Sequence, residues 1–310
     1  MQVICGVDVS KAWLDAWVTG GVFKRFANDE QGVTELLALC RAQAVELVVM
    51  EPSGGVEQPA YSFLWAHGQP CALANAQAMR RFAQAMGYLE KTDRIDAEVI
   101  ARFAQAKGLV AAAPPSARQK RLSALSNRLQ QIAQDLATTR VRLGQTNEPL
   151  ARASLVELMA LLKRQMKALS AEITALIRDD PLWSALDQTL RSVKGVADRT
   201  VATLLAELGE IGTLSNKAIA KLAGLAPIAN DSGKRQGRRP VRGGRAGVRS
   251  ILYLVADIAR KFDPDLAAFR TRLLDQGKPK MVVRIALARK LLVRLNAKAR
   301  ETRAQLAQLA

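Results

Sequence analysis

Four acidic residues stand where short apolar segments end or a helix begins. Asp8 lies in Gly6-Val7-Asp8-Val9-Ser10-Lys11, Glu51 directly follows Leu47-Val48-Val49-Met50, and Asp93 and Asp96 lie in Lys91-Thr92-Asp93-Arg94-Ile95-Asp96-Ala97. The last two are i and i+3 at a helix start and so share a face. Carboxylate oxygens suit Mg2+ or Mn2+, and two such ions about 3.5 to 4 Å apart can stabilise the attacking and leaving oxygens of a phosphoryl transfer. Without metal, the four carboxylates repel one another. Each acid alone also has a plainer reading: Asp93 as a helix cap, Asp96 as an ion-pair partner of Arg94 or Arg102, Glu51 as a surface charge at a strand end.

The elements that must position these acids follow from hydropathy. Gln2 to Val9, Trp13 to Val18 and Val22 to Ala27 read as three strands of a meander, separated by the turn-formers Gly20, Gly21, Asn28 and Asp29. Gly32 to Gln43 has helical spacing, Glu46 to Met50 is a compact buried strand, Gln58 to His67 is helical and Pro70 to Ala74 is another short strand. The order β-β-β-α-β-α-β, ending in helices, resembles the ribonuclease-H-like fold. In that fold acids from the first strand, the fourth strand and a later helix converge on metal ions, and the four acids here sit at those places.

The charge balance points to the partner. The chain has 310 residues, 46 Lys and Arg against 28 Asp and Glu, and a net charge of +18. Through residue 110 there are 10 basic and 12 acidic residues, a net of −2, which leaves 36 and 16, a net of +20, for residues 111 to 310. An excess of that size can neutralise many phosphates, so nucleic acid is the expected partner. No apolar run approaches the roughly 20 residues of a spanning helix, and the start lacks a signal peptide's pattern, so a cytoplasmic protein with no membrane partner is expected. Cys5, Cys40 and Cys71 sit among apolar neighbours and read as buried thiols. His67 is the only histidine, which makes a zinc cluster or a Ser-His-Asp triad a poor reading.

The three acidic motifs, with Glu51-Pro52-Ser53-Gly54 as the second, resemble the amino-terminal domain of the DEDD insertion-sequence transposases. These are bridge-RNA-guided recombinases whose first domain is similar to RuvC Holliday-junction resolvases. The likeness extends through Leu222-Ala223-Gly224-Leu225-Ala226-Pro227, Asp231-Ser232-Gly233-Lys234 and a Gly/Arg-rich stretch ending near Arg249. The resemblance implies metal-binding catalytic acids at Asp8, Glu51, Asp93 and Asp96, and a nucleophilic serine at Ser232. It also implies donor and target DNA, a noncoding guide RNA, a dimer or tetramer, and action at the bacterial nucleoid. At Ile228 to Asp231 this sequence departs from commoner members, lacking the paired serines that many carry; only Ser232 precedes Gly233.

Behind Pro114 and Pro115, Leu122, Leu125, Leu129, Ile132, Leu136 and Leu143 alternate by three and four, with the heptad missed at Thr139. Leu155, Leu158, Leu162, Met166, Leu169, Ile173 and Leu176 form a second such run after a turn at Asn147-Glu148-Pro149. An antiparallel coiled-coil hairpin is expected, with dimerisation through it as the alternative. Arg118, Lys120, Arg121, Arg128, Arg140 and Arg142 on the first helix favour a nucleic-acid face over mere solvated charge.

In the back domain, Leu190 to Leu205 reads as helix, Gly-containing turn and helix. It is similar to a helix-hairpin-helix, which would present Lys194, Gly195 and a helix start to phosphate, or else is a common αα-corner. From Gly233 to Arg249, Lys234, Arg235, Arg238, Arg239, Arg242, Arg245 and Arg249 occur without an acid among five glycines. That predicts a flexible basic loop clamping DNA near the scissile phosphate, against the plainer reading of a disordered basic arm. Ile251 to Ile258 reads as an apolar helix. Lys278 to Arg303 reads as a basic amphipathic helix with Val282, Ile285, Leu292 and Leu295 inward and Lys280, Arg284, Arg294 and Lys298 more exposed.

The expected architecture is α/β plus α: a ribonuclease-H-like (RuvC-like) domain at 1–112, a coiled-coil hairpin at 116–180 and a mainly helical basic domain at 183–310. The expected activity is DNA strand cleavage and exchange through a phosphoserine. A serine hydroxyl is a weak nucleophile and no histidine is at hand, so metal held by the front acids, or a nearby carboxylate, must assist it. That requires the two domains to meet, within or between subunits. The alternatives are a metal-dependent Holliday-junction-type nuclease using water and a non-catalytic RNA- or DNA-binding scaffold.

Overall fold

The computed structural model describes residues 2–309 apart from 89, 91, 234–236 and 238. The chain forms two compact units, residues 1–115 and 116–310.

In the first unit, β1 (Ile4–Val9), β2 (Trp13–Val18), β3 (Val22–Ala27), β4 (Leu47–Met50) and β5 (Cys71–Leu73) make one sheet in the order β3-β2-β1-β4-β5. The first three strands form the antiparallel meander, and β4 and β5 add in parallel. β4 is apolar throughout because both its faces are covered, as parallel strands require. β3 at the edge carries Lys24 and Arg25 and is largely solvent-facing, which blunts pairing with another chain. On one side lie α1 (Glu30–Ala42) and α2 (Gln58–Ala66); on the other lie α3 (Ala76–Ala85) and α4 (Asp93–Lys107). α1 starts where Asp29 accepts the Gly32 N–H at 2.8 Å, and it buries Val33, Leu36, Leu37 and Cys40 at helical spacing. Cys5, Cys40 and Cys71 are buried free thiols.

The second unit is helical: α5 (Ala117–Gln145), α6 (Pro149–Arg178), α7 (Pro181–Arg191), α8 (Asp198–Glu207), α9 (Asn216–Leu222), α10 (Ala246–Ala259), α11 (Pro264–Asp275) and α12 (Lys280–Leu309). α5 and α6 pack on each other as a hairpin turned at residues 146–148. Leu122, Leu129, Ile173 and Leu176 of that hairpin share one core with Leu186, Leu204, Leu252, Leu291 and Leu295. The heptad break at Thr139 is buried with its polar atom satisfied, since its hydroxyl donates to the Asp135 carbonyl at 2.7 Å. Asn296, fully buried on α12, is satisfied likewise: it accepts the Gly212 N–H at 2.8 Å and donates to the Leu214 carbonyl at 3.0 Å.

Two sequence expectations are corrected. The Gly/Arg-rich loop ends before Ala246, so Gly247 and Arg249 belong to the first turn of α10. On α12 Val282 is 51% exposed and Val283 is the buried residue, because the core stripe runs Val283, Leu287, Leu291 and Leu295 at steps of four. Arg284 and Arg294 are more exposed than Leu292 and Leu295, as expected, and are ion-paired, Arg284 with Asp257 and Arg294 with Asp263 and Asp265.

Candidate catalytic site

The sheet and α4 bring the four predicted acids to one cleft. Alternation along β1 sends Cys5, Val7 and Val9 into the core under α1 and α2, and Ile4 toward α4. Gly6 and Asp8 share the parity of Ile4. At Gly6, α4 comes so close that a Cβ would stand 2.2 Å from the Ala97 carbonyl oxygen and 2.5 Å from the Ala101 nitrogen. Only glycine permits that approach, and it brings the first turn of α4 toward the end of β1. The helix begins at Asp93 because Thr92 is its cap, the Thr92 hydroxyl accepting the Ile95 N–H at 3.3 Å. Thr92, not Asp93, therefore does the capping, and Arg102 pairs with Glu98 one turn further on.

Asp8, Glu51, Asp93 and Asp96 line a cleft of about 460 Å³ with Glu90, Tyr88 and Arg80. Burial pushes the Asp8 carboxyl up to about 6, and the charges of Asp96, Glu51, Asp93 and Asp15 push the same way. Five carboxylates face one arginine among the described lining residues. That is the donor set of a hard divalent cation, all oxygen and in excess of local positive charge. Among the described residues no three acids already stand close enough together to enclose an ion.

Two positioning groups were not anticipated from sequence. Asp15 pairs with Asp8 in the β1–β2 register and with Arg25 in the β2–β3 register. Arg25 grips the buried Asp15 through two hydrogen bonds, of 2.7 and 3.1 Å, and reaches on to the carboxylate of Asp93. A cross-strand search of the meander would have found the Asp15–Arg25 pair; its link to Asp93 has no sequence signal. Glu57 accepts the N–H groups of Ser53 at 3.0 Å and Gly55 at 2.9 Å, tying down the turn that follows Glu51. Burial raises the Glu57 carboxyl, but hydrogen bonds from Gln58 and from the backbone of Glu57, Ser53 and Gly55 outweigh it and hold the group below the usual carboxylate range.

In the second unit, Ser232 is exposed on a tongue that leaves α9 and returns to α10. Pro227 bridges Val241, and the Ile228 N–H donates to the Pro240 carbonyl at 3.0 Å. Asp231 accepts from the Gly237 N–H at 3.2 Å and from Arg239 at 2.6 Å, so its carboxylate is engaged within the tongue. At the base the Arg245 N–H donates to the Leu222 carbonyl at 2.9 Å, and a Cβ on Gly244 would meet the Gly224 nitrogen at 2.3 Å. The Leu222-to-Pro227 motif and the Gly/Arg stretch are thus the two sides of one structure.

The predicted nucleic-acid residues differ in availability. Arg242 and Lys194 are exposed, and Gly195 lies beside Lys194 in the α7–α8 turn. Arg239 pairs with Asp231, Arg245 pairs with Glu210, and Arg249 donates to the Gly243 carbonyl at 2.7 Å. Lys234, Arg235 and Arg238 lie outside the described residues. On α5, Arg118 pairs with Asp180 and Arg121 with Glu172.

No helix among the described residues is long and apolar enough to cross a membrane. Residues 5–148 match a transposase family model of the DEDD type, and residues 187–271 match the model described as transposase IS116/IS110/IS902 family. The chain is 26% identical to a pilin gene-inverting protein of Moraxella lacunata over 308 residues, covering 93% of this chain and 92% of that protein. It is 25% identical to the pilin gene-inverting protein of Moraxella bovis with the same coverage. With an acid-lined cleft inside the first match and the serine tongue inside the second, the chain belongs to the IS116/IS110/IS902 transposase family.

Proposed function

We propose that this protein cleaves and exchanges DNA strands through a phosphoserine at Ser232, with Asp8, Glu51, Asp93 and Asp96 as the metal-binding acids and a noncoding RNA as guide. The observation that carries the reading is the gathering of the four acids from β1, the end of β4 and the start of α4 into one cleft where Asp8 is pushed up to about 6. The relatives named for inverting a pilin gene support DNA recombination as the reaction class. The net charge of +20 over residues 111–310 supports a polyanionic partner.

In the cleavage step the Ser232 Oγ forms a bond to phosphorus and the bond from phosphorus to the 3′ oxygen breaks. The serine proton leaves to a carboxylate base, and the departing 3′ oxygen takes up a proton. Attack by the 3′-hydroxyl of another strand reverses the step and rejoins the backbone. Asp231 is engaged by Arg239 and Gly237 and so helps to hold the tongue. Mg2+ or Mn2+, when bound, would supply positive charge against the phosphate oxygens. Arg242 stands on the same tongue, exposed, and offers a guanidinium to the phosphate backbone.

Incubating the protein with labelled DNA and any RNA that copurifies, then denaturing it, tests the reading. DNA covalently attached to wild-type protein and absent from Ser232→Ala is the expected result. Cleavage by Ser232→Ala at the wild-type rate would make water the nucleophile and the protein a metal-dependent nuclease. Asp8→Ala that leaves cleavage intact would remove the acids from the chemistry. Absence of a discrete RNA in the purified protein would remove the guide.

A further inference from the structure

The second unit contains a cleft that neither the acids nor the serine tongue explains. It is about 510 Å³ in volume, lies between α10, α11 and the first turns of α12, and is lined by Tyr253, Asp257, Arg260, Arg270, Lys280 and Arg284 among others. Four cations face one carboxylate there.

That carboxylate is fully committed. Asp257 accepts the Arg260 Nε at 2.8 Å and the Arg284 Nη2 at 2.7 Å, and these two bonds, Arg260 first, draw its carboxyl down to about 2. It therefore fixes the direction of two guanidinium planes while cancelling one charge of the four. Arg284 is held from a second side: its Nη1 donates to the Tyr253 hydroxyl at 3.1 Å, and its guanidinium lies 4.7 Å from the centre of the Tyr253 ring. Arg270 and Lys280 face the cleft from α11 and α12 and make no hydrogen bond or ion pair among the described residues. Asp263 and Asp265 at the start of α11 are paired with Arg294.

We propose that this cleft is a binding site for the phosphodiester backbone of nucleic acid, with Arg270 and Lys280 as direct phosphate ligands and Arg260 and Arg284 as fixed guanidinium walls. The inference rests on the recombinase reading above. Fixed forks with spare N–H groups match phosphate oxygens, and a mobile ammonium beside them adds a point charge. Duplex DNA and RNA share that chemistry and are separated by their salt dependence.

The test is fluorescence anisotropy of full-length wild-type and R270E/K280E protein with labelled duplex DNA and with labelled single-stranded RNA, over a salt series. Loss of two phosphate contacts makes the plot of log affinity against log salt shallower by about 1.8 for duplex DNA or about 1.4 for a single strand. The nucleic acid that shows the change is the occupant, and R270K/K280R should keep the wild-type slope. If R270E/K280E fails to fold, R270A/K280A carries the same expectation. Wild-type binding with unchanged slopes for both variants overturns the proposal, as does weakened binding of labelled polyglutamate alone, which would make the cleft an acidic-peptide site. Failure of the wild type to bind either nucleic acid would overturn the recombinase reading itself.

Discussion

Gly6 of β1 stands so near Ala97 of α4 that a methyl group on it would sit 2.2 Å from the Ala97 carbonyl oxygen. The contact is backbone against backbone, so no side chain can swing aside to relieve it. Gly6→Ala must push α4 off the sheet, and with it Asp93 and Asp96. Overpacking of this kind typically costs about 1–3 kcal/mol. We expect a lower thermal midpoint for Gly6→Ala and loss of DNA cleavage in the protein that remains folded. Wild-type cleavage by Gly6→Ala would mean that the placement of α4 over β1 is not what assembles the acids.

Arg25 ties the Asp93 carboxylate to Asp15, so a cation arriving at the cleft has to compete with a guanidinium for Asp93. Arg25→Gln removes the competitor and leaves an amide to serve Asp15. The pair is partly exposed, and pairs of that kind are modest in strength, so Mn2+ affinity measured calorimetrically should rise by up to about fivefold. Arg25→Lys should bind Mn2+ like the wild type. Weaker binding by Arg25→Gln would instead make Arg25 the group that holds Asp93 ready for metal.

The sheet was legible because its turns carry Gly20, Gly21, Asn28 and Asp29 and its two parallel strands are short apolar runs; β2 and β3 fall on the expected residues. The acids were legible as residues but not as a geometry. Their convergence depends on Gly6, which in sequence is one glycine within a strand, and Asp93 is engaged by Arg25, 68 residues away. α11 has a cap and a first-turn proline in Asp263 and Pro264, but its few buried side chains, chiefly Leu266, leave little periodicity in the sequence. The tongue read as a loose loop because its order comes from Pro227–Val241 pairing and from glycine backbone contacts, neither of which has a hydrophobic signature.

Asp8 sets a pH dependence. Its carboxyl is raised from 3.8 to about 6, so the native state prefers the protonated form. The stabilisation this gives is complete below about pH 3.8 and is lost as pH rises through about 6. Asp8→Asn stays neutral and escapes that loss. In chelator-treated protein it should therefore be more stable than the wild type at pH 7.5, by about 1–2 kcal/mol after allowing for the partial exposure of Asp8, and the difference should shrink toward pH 4. Urea titrations at the two pH values measure it. Equal stability at pH 7.5 would mean that the like charges around Asp8 are relieved in some other way.

At the base of the serine tongue, three glycines in the left-handed region separate the demands of backbone conformation from those of space. Gly224, Gly243 and Gly244 have φ of +66°, +69° and +65°. A Cβ on Gly243 meets nothing within 4 Å, whereas one on Gly244 would lie 2.3 Å from the Gly224 nitrogen and 2.6 Å from the Leu222 carbonyl oxygen. Gly243→Ala should thus cost only the conformational strain, about 1–2 kcal/mol. Gly244→Ala adds a collision that forces apart the two strands of chain holding Ser232 in place. We expect Gly243→Ala to form the covalent protein–DNA adduct at a rate near that of the wild type, and Gly244→Ala to form it at least about tenfold more slowly, the cost of losing about 1.4 kcal/mol of positioning. Both variants should still bind DNA, because the cleft between α10, α11 and α12 does not depend on how the tongue is closed. Equal impairment of the two would show that the left-handed turn alone, and not the close approach of the two motifs, sets the position of the serine.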